Sequence, residues 1–307
     1  MELIKKQIHM NQWKGNVTTQ ITLDDDFIVP DTLDDMEQVM LDTGEIQIET
    51  VKNQGDKVAV KGKLEFQVLY RKESGGLQTL GGNIPFEEVV NVQGLEEKDY
   101  VGLNWMLEDL NTDMINSRKL GVQAIITLQV RVETLRDVEA AVDVDMENNS
   151  RPAGAGMSDT DGAGQVQVET LKRTANAAAI AVRRKDTYRI KEELSLTGGK
   201  PNIGQLLWRE MKLRDVTAKP LDGRLHLDGE LSVFVIYGAE DENMPVQWLE
   251  ETIPFSGDME MGDVKEDQIP MVTVRLAHKD MEAKPDYDGE MREMDVDAVL
   301  ELDIKLY

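Results

Sequence analysis

"GDKVAVKGKLEFQVLY", residues 55–70, carries the pattern that decides the fold. Val58, Val60, Leu64, Phe66, Val68 and Tyr70 fall on even positions with Gly62 in the same phase, while Lys61, Lys63, Glu65 and Gln67 take alternate places. A period of two is the mark of a strand with one buried face. The pattern returns in "DGRLHLDGELSVFVIY", residues 222–237, where Leu225, Leu227, Gly229, Leu231, Val233, Val235 and Tyr237 hold the same phase. Gly62 and Gly229 lie 167 residues apart, and so do Tyr70 and Tyr237.

The duplication extends outward from this strand. "QITLDDDFIV" (20–29) and "TYRIKEELSL" (187–196) share the offset of 167, as do "DMEQVML" (35–41) and "NIGQLLW" (202–208). "IPF" recurs at 84–86 and 253–255 with an offset of 169, and "VQAIITLQVRV" (122–132) answers "VDAVLELDIKL" (296–306) with an offset of 174. The offset holds inside strands and grows at loops, which is how a tandem duplication drifts, because packed strands resist insertion and surface loops tolerate it. One irregularity is expected between Ile48 and Gly62, where the second copy reads as having lost and then gained residues.

These signals divide the chain of 307 residues into a first β module at 1–145, a linker at 146–167 and a second module at 168–307. The linker, rich in Gly, Ala, Ser, Asn and Asp, cannot bury enough apolar surface to offset its ordering entropy, so the modules are expected to be tethered and not fused. The fold class is all-β and mainly antiparallel, each module a β-sandwich or partly open barrel. A short helix is expected in each copy, at "DTLDDMEQVML" and at "KPNIGQLLWRE", where Asp and Thr stand at capping positions in the first. "VETLKRTANAAAIAVRRKD" reads equally as helix or strand. The inward glycine is the natural place for a bend in so long a strand, and the proline of "IPF" is expected at a first position or an edge because it cannot donate to the ladder.

Charge and composition narrow the function. With 34 Lys and Arg against 59 Asp and Glu the net charge is −25, which repels nucleic acid and anionic lipid and suits partners with basic surfaces. There are no cysteines, so disulfides, thiol nucleophiles and cysteine-ligated metals are excluded. No apolar run approaches the roughly 20 residues that a membrane helix needs, and no export signal stands at the N-terminus, so a soluble cytoplasmic protein is expected.

Chemistry-bearing residues are few or unfocused. His9, His226 and His278 share no local spacing, and His226 lies on the outward phase of its strand opposite Ala59 in the other copy. "LDDDF" (23–27) matches "IKEEL", with Lys191 in place of Asp24, and suits a charged turn better than an acid/base pair. "DTDGAGQVQVE" imitates a calcium loop, but Met157 takes the first ligand position and no glutamate falls at the twelfth. "TGGKPN" (197–202) lacks the spacing of a phosphate loop and reads as a turn before the second short helix. "NVT" and "NNS" are formal glycosylation sequons without meaning in the absence of export. Of Trp13, Trp105, Trp208 and Trp248, Trp208 aligns with Leu41 and is expected in the core, and the others read as core or rim packing. No catalytic, cofactor or metal residues are assigned, and no cofactor is expected.

The order glycine, "VLY" or "VIY", a loop, "IPF" and a terminal alternating strand, present twice, resembles the SPOCS domain found in tandem in clostridial spore-coat morphogenesis proteins of the SipL type. The resemblance covers both copies and implies a non-enzymatic, structural protein of the spore coat, on the mother-cell side of the forespore surface. It would bind other coat morphogenetic proteins and could self-associate. A carbohydrate- or peptidoglycan-binding module is the alternative, and an enzyme on a β scaffold the third reading. Members of that family commonly carry a further C-terminal LysM module. The first-copy strand runs on into "ETLRDVEAAVDVDM" where the second stops, so the chain is expected to be the N-terminal part of a longer protein.

Overall fold

In a computed structural model, which describes residues 2–145, 171, 173, 178–241 and 245–307, the chain forms twelve antiparallel strands and, among the described residues, no helix. The linker expected at 146–167, with its calcium-like stretch, lies outside the described residues. The first module contains β1 (Glu2–Ile28), β2 (Met36–Asn53), β3 (Lys57–Lys72), β4 (Leu77–Asn91), β5 (Tyr100–Asn116) and β6 (Lys119–Asp145). The second contains β7 (Val182–Ser195), β8 (Ile203–Leu221), β9 (Arg224–Ala239), β10 (Val246–Glu260), β11 (Pro270–Pro285) and β12 (Met291–Leu306). Each module is two three-stranded sheets: β1-β6-β5 and β2-β3-β4 in the first, β7-β12-β11 and β8-β9-β10 in the second. The order is the same element for element, so the duplication read from the sequence is a duplication of topology.

The apolar phase is the buried one. Val58, Val60, Leu64, Phe66, Val68 and Tyr70 of β3 join alternate residues from Leu120 to Val132 of β6 in one core. Leu225 to Tyr237 of β9 and Met294 to Leu306 of β12 do the same in the second module. Each large side chain moved from water into such a core contributes roughly 1.5–3 kcal/mol, and the matched alternation lets both central strands contribute every second residue.

The two short helices are absent: "DTLDDMEQVML" leads into β2 and "KPNIGQLLWRE" into β8. The ladder between β2 and β3 shifts register between Met36 and Gln38 and again between Val39 and Leu41, and β8 repeats this between Ile203 and Gln205 and between Leu206 and Trp208. Each bulge inserts one extra residue, so apolar side chains of a period-two strand fall three or four apart and imitate a helix. Pairing with β3 and β9 then overrides the capping signal. The ambiguous stretch before the second module becomes β7 from Val182 onward, and Asp24 to Asp26 sit on β1 and not in a turn.

The glycines mark an irregularity on the neighbouring strand. β3 is unbroken at Gly62, but β2 bulges opposite it, between Ile48 and Thr50. β8 bulges between Arg214 and Thr217, opposite Gly229, with Asp215 at φ 50°. Phe86 and Phe255 pair with Gly62 and Gly229, and a Cβ at either glycine would stand 2.8 or 2.6 Å from the phenylalanine Cζ. Glycine therefore provides the floor on which the aromatic ring of "IPF" lies. The prolines of that motif sit mid-strand in β4 and β10, which are edge strands, instead of opening them. The expected gap between Ile48 and Gly62 does not exist: Asn53 pairs with Val58 as Pro220 pairs with Leu225, so the offset of 167 holds throughout. The wider bulge at Asp215 and Val216 had displaced the apolar phase and imitated a deletion.

The duplicated tyrosine closes one end of each core. Tyr70 is fully buried and its hydroxyl shares its one proton between the Asp34 carbonyl at 3.0 Å and the Gln78 side-chain oxygen at 2.9 Å. Tyr237 donates to the equivalent Pro201 carbonyl at 3.2 Å. The same loops are clamped by a second repeated residue: Arg118 donates to the carbonyls of Leu33 and Val29 and to Asp35 and Asp31. Arg292 donates to the Lys200 carbonyl and to Asn202. A charged, five-donor fork satisfies carbonyls that these loops leave without backbone partners in the sheets.

Candidate functional site

The two modules, expected to be joined by their linker alone, meet directly. On the outer face of the β2-β3-β4 sheet, Leu69 is 1% exposed although it lies on the outward phase, because Leu207 and Trp208 cover it. Leu77 packs with them, as do Phe234 and Ile236. Trp208 is thus buried as expected, yet between the modules and not inside its own core. The bulge at Leu207 explains how two successive residues reach the same outer face. Thr79 donates its hydroxyl to the Leu207 carbonyl, and Lys279 reaches Glu45 at 2.6 Å.

A polar half of the joint lies on the other sheet. Glu133, on β6, is 8% exposed and accepts from Arg183 at 3.0 Å, from Lys305 at 2.7 and 2.9 Å and from Asn11 at 3.0 Å. Arg183 also lies 3.3 Å above the Tyr100 ring, whose hydroxyl donates to Asp303 at 2.5 Å. Arg275 stacks 3.9 Å over Trp105 and donates to the Leu103 carbonyl and to Asn104. The cations come from the second module and their acceptors and rings from the first, so burial of each charge depends on the other module.

Electrostatics hold these groups in single states. Burial pushes the Glu133 carboxyl up, but hydrogen bonds from Lys305 and Asn11 and the charges of Lys305 and Arg183 outweigh it and keep it below its ordinary range. Burial, aided by Asp303, drives the Tyr100 phenol far above its ordinary value, so it stays a neutral donor. Burial lowers the Arg275 pKa, which for a guanidinium still leaves a full charge. Neither Glu133 nor Tyr100 is poised to exchange a proton near neutral pH, which fits groups that bind one another better than groups that move protons.

A groove of about 440 Å³ opens beside this cluster, lined by Trp13, Tyr100, Trp105 and Arg131 from one module and Met271, Arg275 and Asp303 from the other. Trp13 is 55% exposed there, whereas the rings of Tyr100 and Trp105 each carry a guanidinium.

The residues singled out in the sequence are not brought together. His9 pairs with Asp137 at 2.6 Å on β1 and β6. His226 is partly exposed on β9 and pairs with Asp258 at 2.5 Å and Asp228 at 3.1 Å. His278 is exposed on β11, beside a bulge. Asp26 is bridged to Lys119 and Asp24 accepts from Gln123, while Lys191 faces Asp297. "TGGKPN" is the turn before β8, and its Lys200 lies beside the Trp248 ring. Arg118, Arg292, Glu133, Arg183 and Arg275 were missed. The first two share the offset of 174 and were findable; the joint residues differ between copies and left no repeat to follow.

The model of the SipL SPOCS domain matches residues 35–115 and, a second time, 202–284, just over half of the chain. The chain belongs to the SipL SPOCS-domain family. Both matches run from β2 to β5 or from β8 to β11, so each SPOCS match takes in one whole three-stranded sheet and an edge strand of the other. No curated protein and no solved structure matches. Membership points to a sporulation-related role for these two SPOCS modules.

Proposed function

We propose that the protein is a non-enzymatic assembly factor of the spore envelope, a coat morphogenesis protein of the mother-cell cytoplasm that binds other coat proteins through the outer faces of its two sandwich-like modules. The observation that supports this reading best is the contrast between phases: the inner positions of the two copies are equivalent and buried, while the outer positions differ and already make one contact between modules, the joint. Two linked surfaces multiply weak contacts through effective concentration. The test is crosslinking capture of the tagged full chain from sporulating cells. Recovery of coat proteins, reduced by substitutions on the outer faces, is expected; recovery of none would refute the reading.

Peptidoglycan binding is the second reading, favoured by three aromatic residues on one groove. Because two of the rings are already covered by guanidinium groups, only Trp13 offers a free stacking face. Sedimentation with purified peptidoglycan, lost in Trp13→Ala, would support it over coat assembly.

A further inference from the structure

The joint between the modules uses different faces of the two copies, and each face used once is left uncovered once. The first module contributes the β3 and β4 side of its outer sheet, with Leu69, Leu77 and Thr79; the second contributes the β8 side of its own, with Leu207 and Trp208. The ladder registers give the equivalents. Thr79 pairs with Leu69 as Trp248 pairs with Ile236, and Leu77 pairs with Arg71 as Val246 pairs with Gly238. Leu41 pairs with Leu69 as Trp208 pairs with Ile236.

On the second module, therefore, the receiving face is Val246 and Trp248, bordered by Ile236 and Phe234, which are partly buried at the edge of the joint. It is open: Val246 is 40% and Trp248 57% exposed, and with Phe234 they line an apolar pocket of about 400 Å³. On the first module the inserting face is Met40 and Leu41, 50% and 42% exposed, carried outward by the same bulge that presents Leu207 and Trp208. Large apolar side chains gathered at matching places on a surface this strongly charged mark a contact site.

We propose that a second copy of this chain fills these faces: Met40 and Leu41 of one chain dock on Val246 and Trp248 of the next, repeating the internal joint between molecules. The contact is heterologous, since the face that inserts is not the face that receives, and nothing in its symmetry closes it at a dimer, so it extends head to tail. The polar half of the joint does not recur: Tyr100 and Glu133 correspond to Ile269 and Tyr307 in the second module. The contact between chains consequently has only the apolar half and no linker, which makes it weak. Repulsion between chains of net charge −25 weakens it further at low salt, and screening relieves this. The proposal stands apart from binding of coat proteins, because either can hold without the other.

Sedimentation equilibrium of the full chain from low micromolar to near-millimolar concentration, at low and high salt, tests it. The average mass should climb past that of a dimer without a plateau, and more steeply at high salt. Trp248→Glu and Leu41→Glu, both at exposed positions, should each remain monomeric alone with unchanged circular dichroism. Mixed together, they should form a one-to-one complex that grows no further, because each retains one intact face; Met40→Glu serves in place of Leu41→Glu if that variant fails to fold. A wild-type chain that stays monomeric throughout overturns the proposal, even if its Trp248→Glu variant loses a different protein in capture from cells. So does a closed dimer, or a mixture of folded variants that does not associate.

Discussion

Glu133→Gln tests whether the modules are held as the structure places them. The substitution preserves the shape of the side chain and removes its charge, leaving the Arg183 guanidinium and the Lys305 ammonium beside the Tyr100 ring without the anion they share. Their side chains are 14% and 13% exposed. Removing one partner of a fully buried pair costs roughly 3–5 kcal/mol, most of it the desolvation of the charge left behind. The groove beside the cluster admits water, and glutamine retains an acceptor, so about 2 kcal/mol is the expected loss. Because Glu133 belongs to one module and both cations to the other, that loss falls on docking and not on either core. About 2 kcal/mol is close to a thirtyfold shift toward separated modules, since 1.4 kcal/mol is a factor of ten.

Small-angle scattering should register this as a larger radius of gyration in Glu133→Gln, with circular dichroism unchanged. The pH dependence has a definite sign. The carboxyl is held below its ordinary value of 4.5, so its contribution to docking is complete above that value and is lost as pH falls through the depressed one. Wild-type scattering should therefore expand as the pH is taken below that ordinary value, and Glu133→Gln should not show that step. A Glu133→Gln chain with unchanged radius at neutral pH would refute the assignment of the joint to this cluster.

Gly62→Ala should cost more than Gly229→Ala, about 3 against about 1.5 kcal/mol in thermal unfolding. A Cβ at Gly62 meets the Gln47 carbonyl oxygen at 2.6 Å, which is backbone and cannot turn aside, whereas at Gly229 the obstacles are the side chains of Phe255 and Val216. Equal losses would contradict that difference. Tyr70→Phe removes a proton shared between two acceptors and Tyr237→Phe one donated to a single carbonyl, so melting should fall by the equivalent of about 1.5 and about 1 kcal/mol, with a reversed order counting against the loop-pinning role. The Asp258 hydrogen bond holds the His226 pKa above its ordinary 6.5. Its stabilisation is present below 6.5 and lost as pH rises through the raised value; an NMR titration should give a midpoint above 6.5 that drops in Asp258→Asn.

Much of the fold was legible because a core imposes the same demand on every copy. Alternation from Val58 to Tyr70 and from Val122 to Val132 could be read directly, and its recurrence at a constant offset fixed which elements correspond. What misled the reading was bulging. The extra residues at Glu37, Met40, Gly204, Leu207 and Asp215 to Val216 shift the apolar phase, and a shifted phase looks like a helix at one site and a deletion at another. Periodicity has no independent signal for a bulge, since the residue types that form one are those of any strand. The joint was hidden for a different reason: it is built from outward positions, and an outward leucine or arginine has no period to belong to.

That the joint lies where the copies disagree has a physical cause. An inner position of β3 or β9 meets the same neighbours in both modules, so Leu64 and Leu231 or Val68 and Val235 face one packing problem. An outer position meets water unless something covers it, and there the equivalent pairs are Leu41 and Trp208, Thr79 and Trp248, Gln67 and Phe234, and Met106 and Arg275. In each pair the second-module residue is the larger ring or the charged fork, the types that carry binding energy at interfaces. Trp208 and Arg275 are engaged with the first module, and Phe234 lies between the joint and the Trp248 ring. Trp248, flanked by Val246 and by Lys200, is a residue of the same kind at an uncovered equivalent position, which makes it the side chain at which a contact beyond this chain is decided.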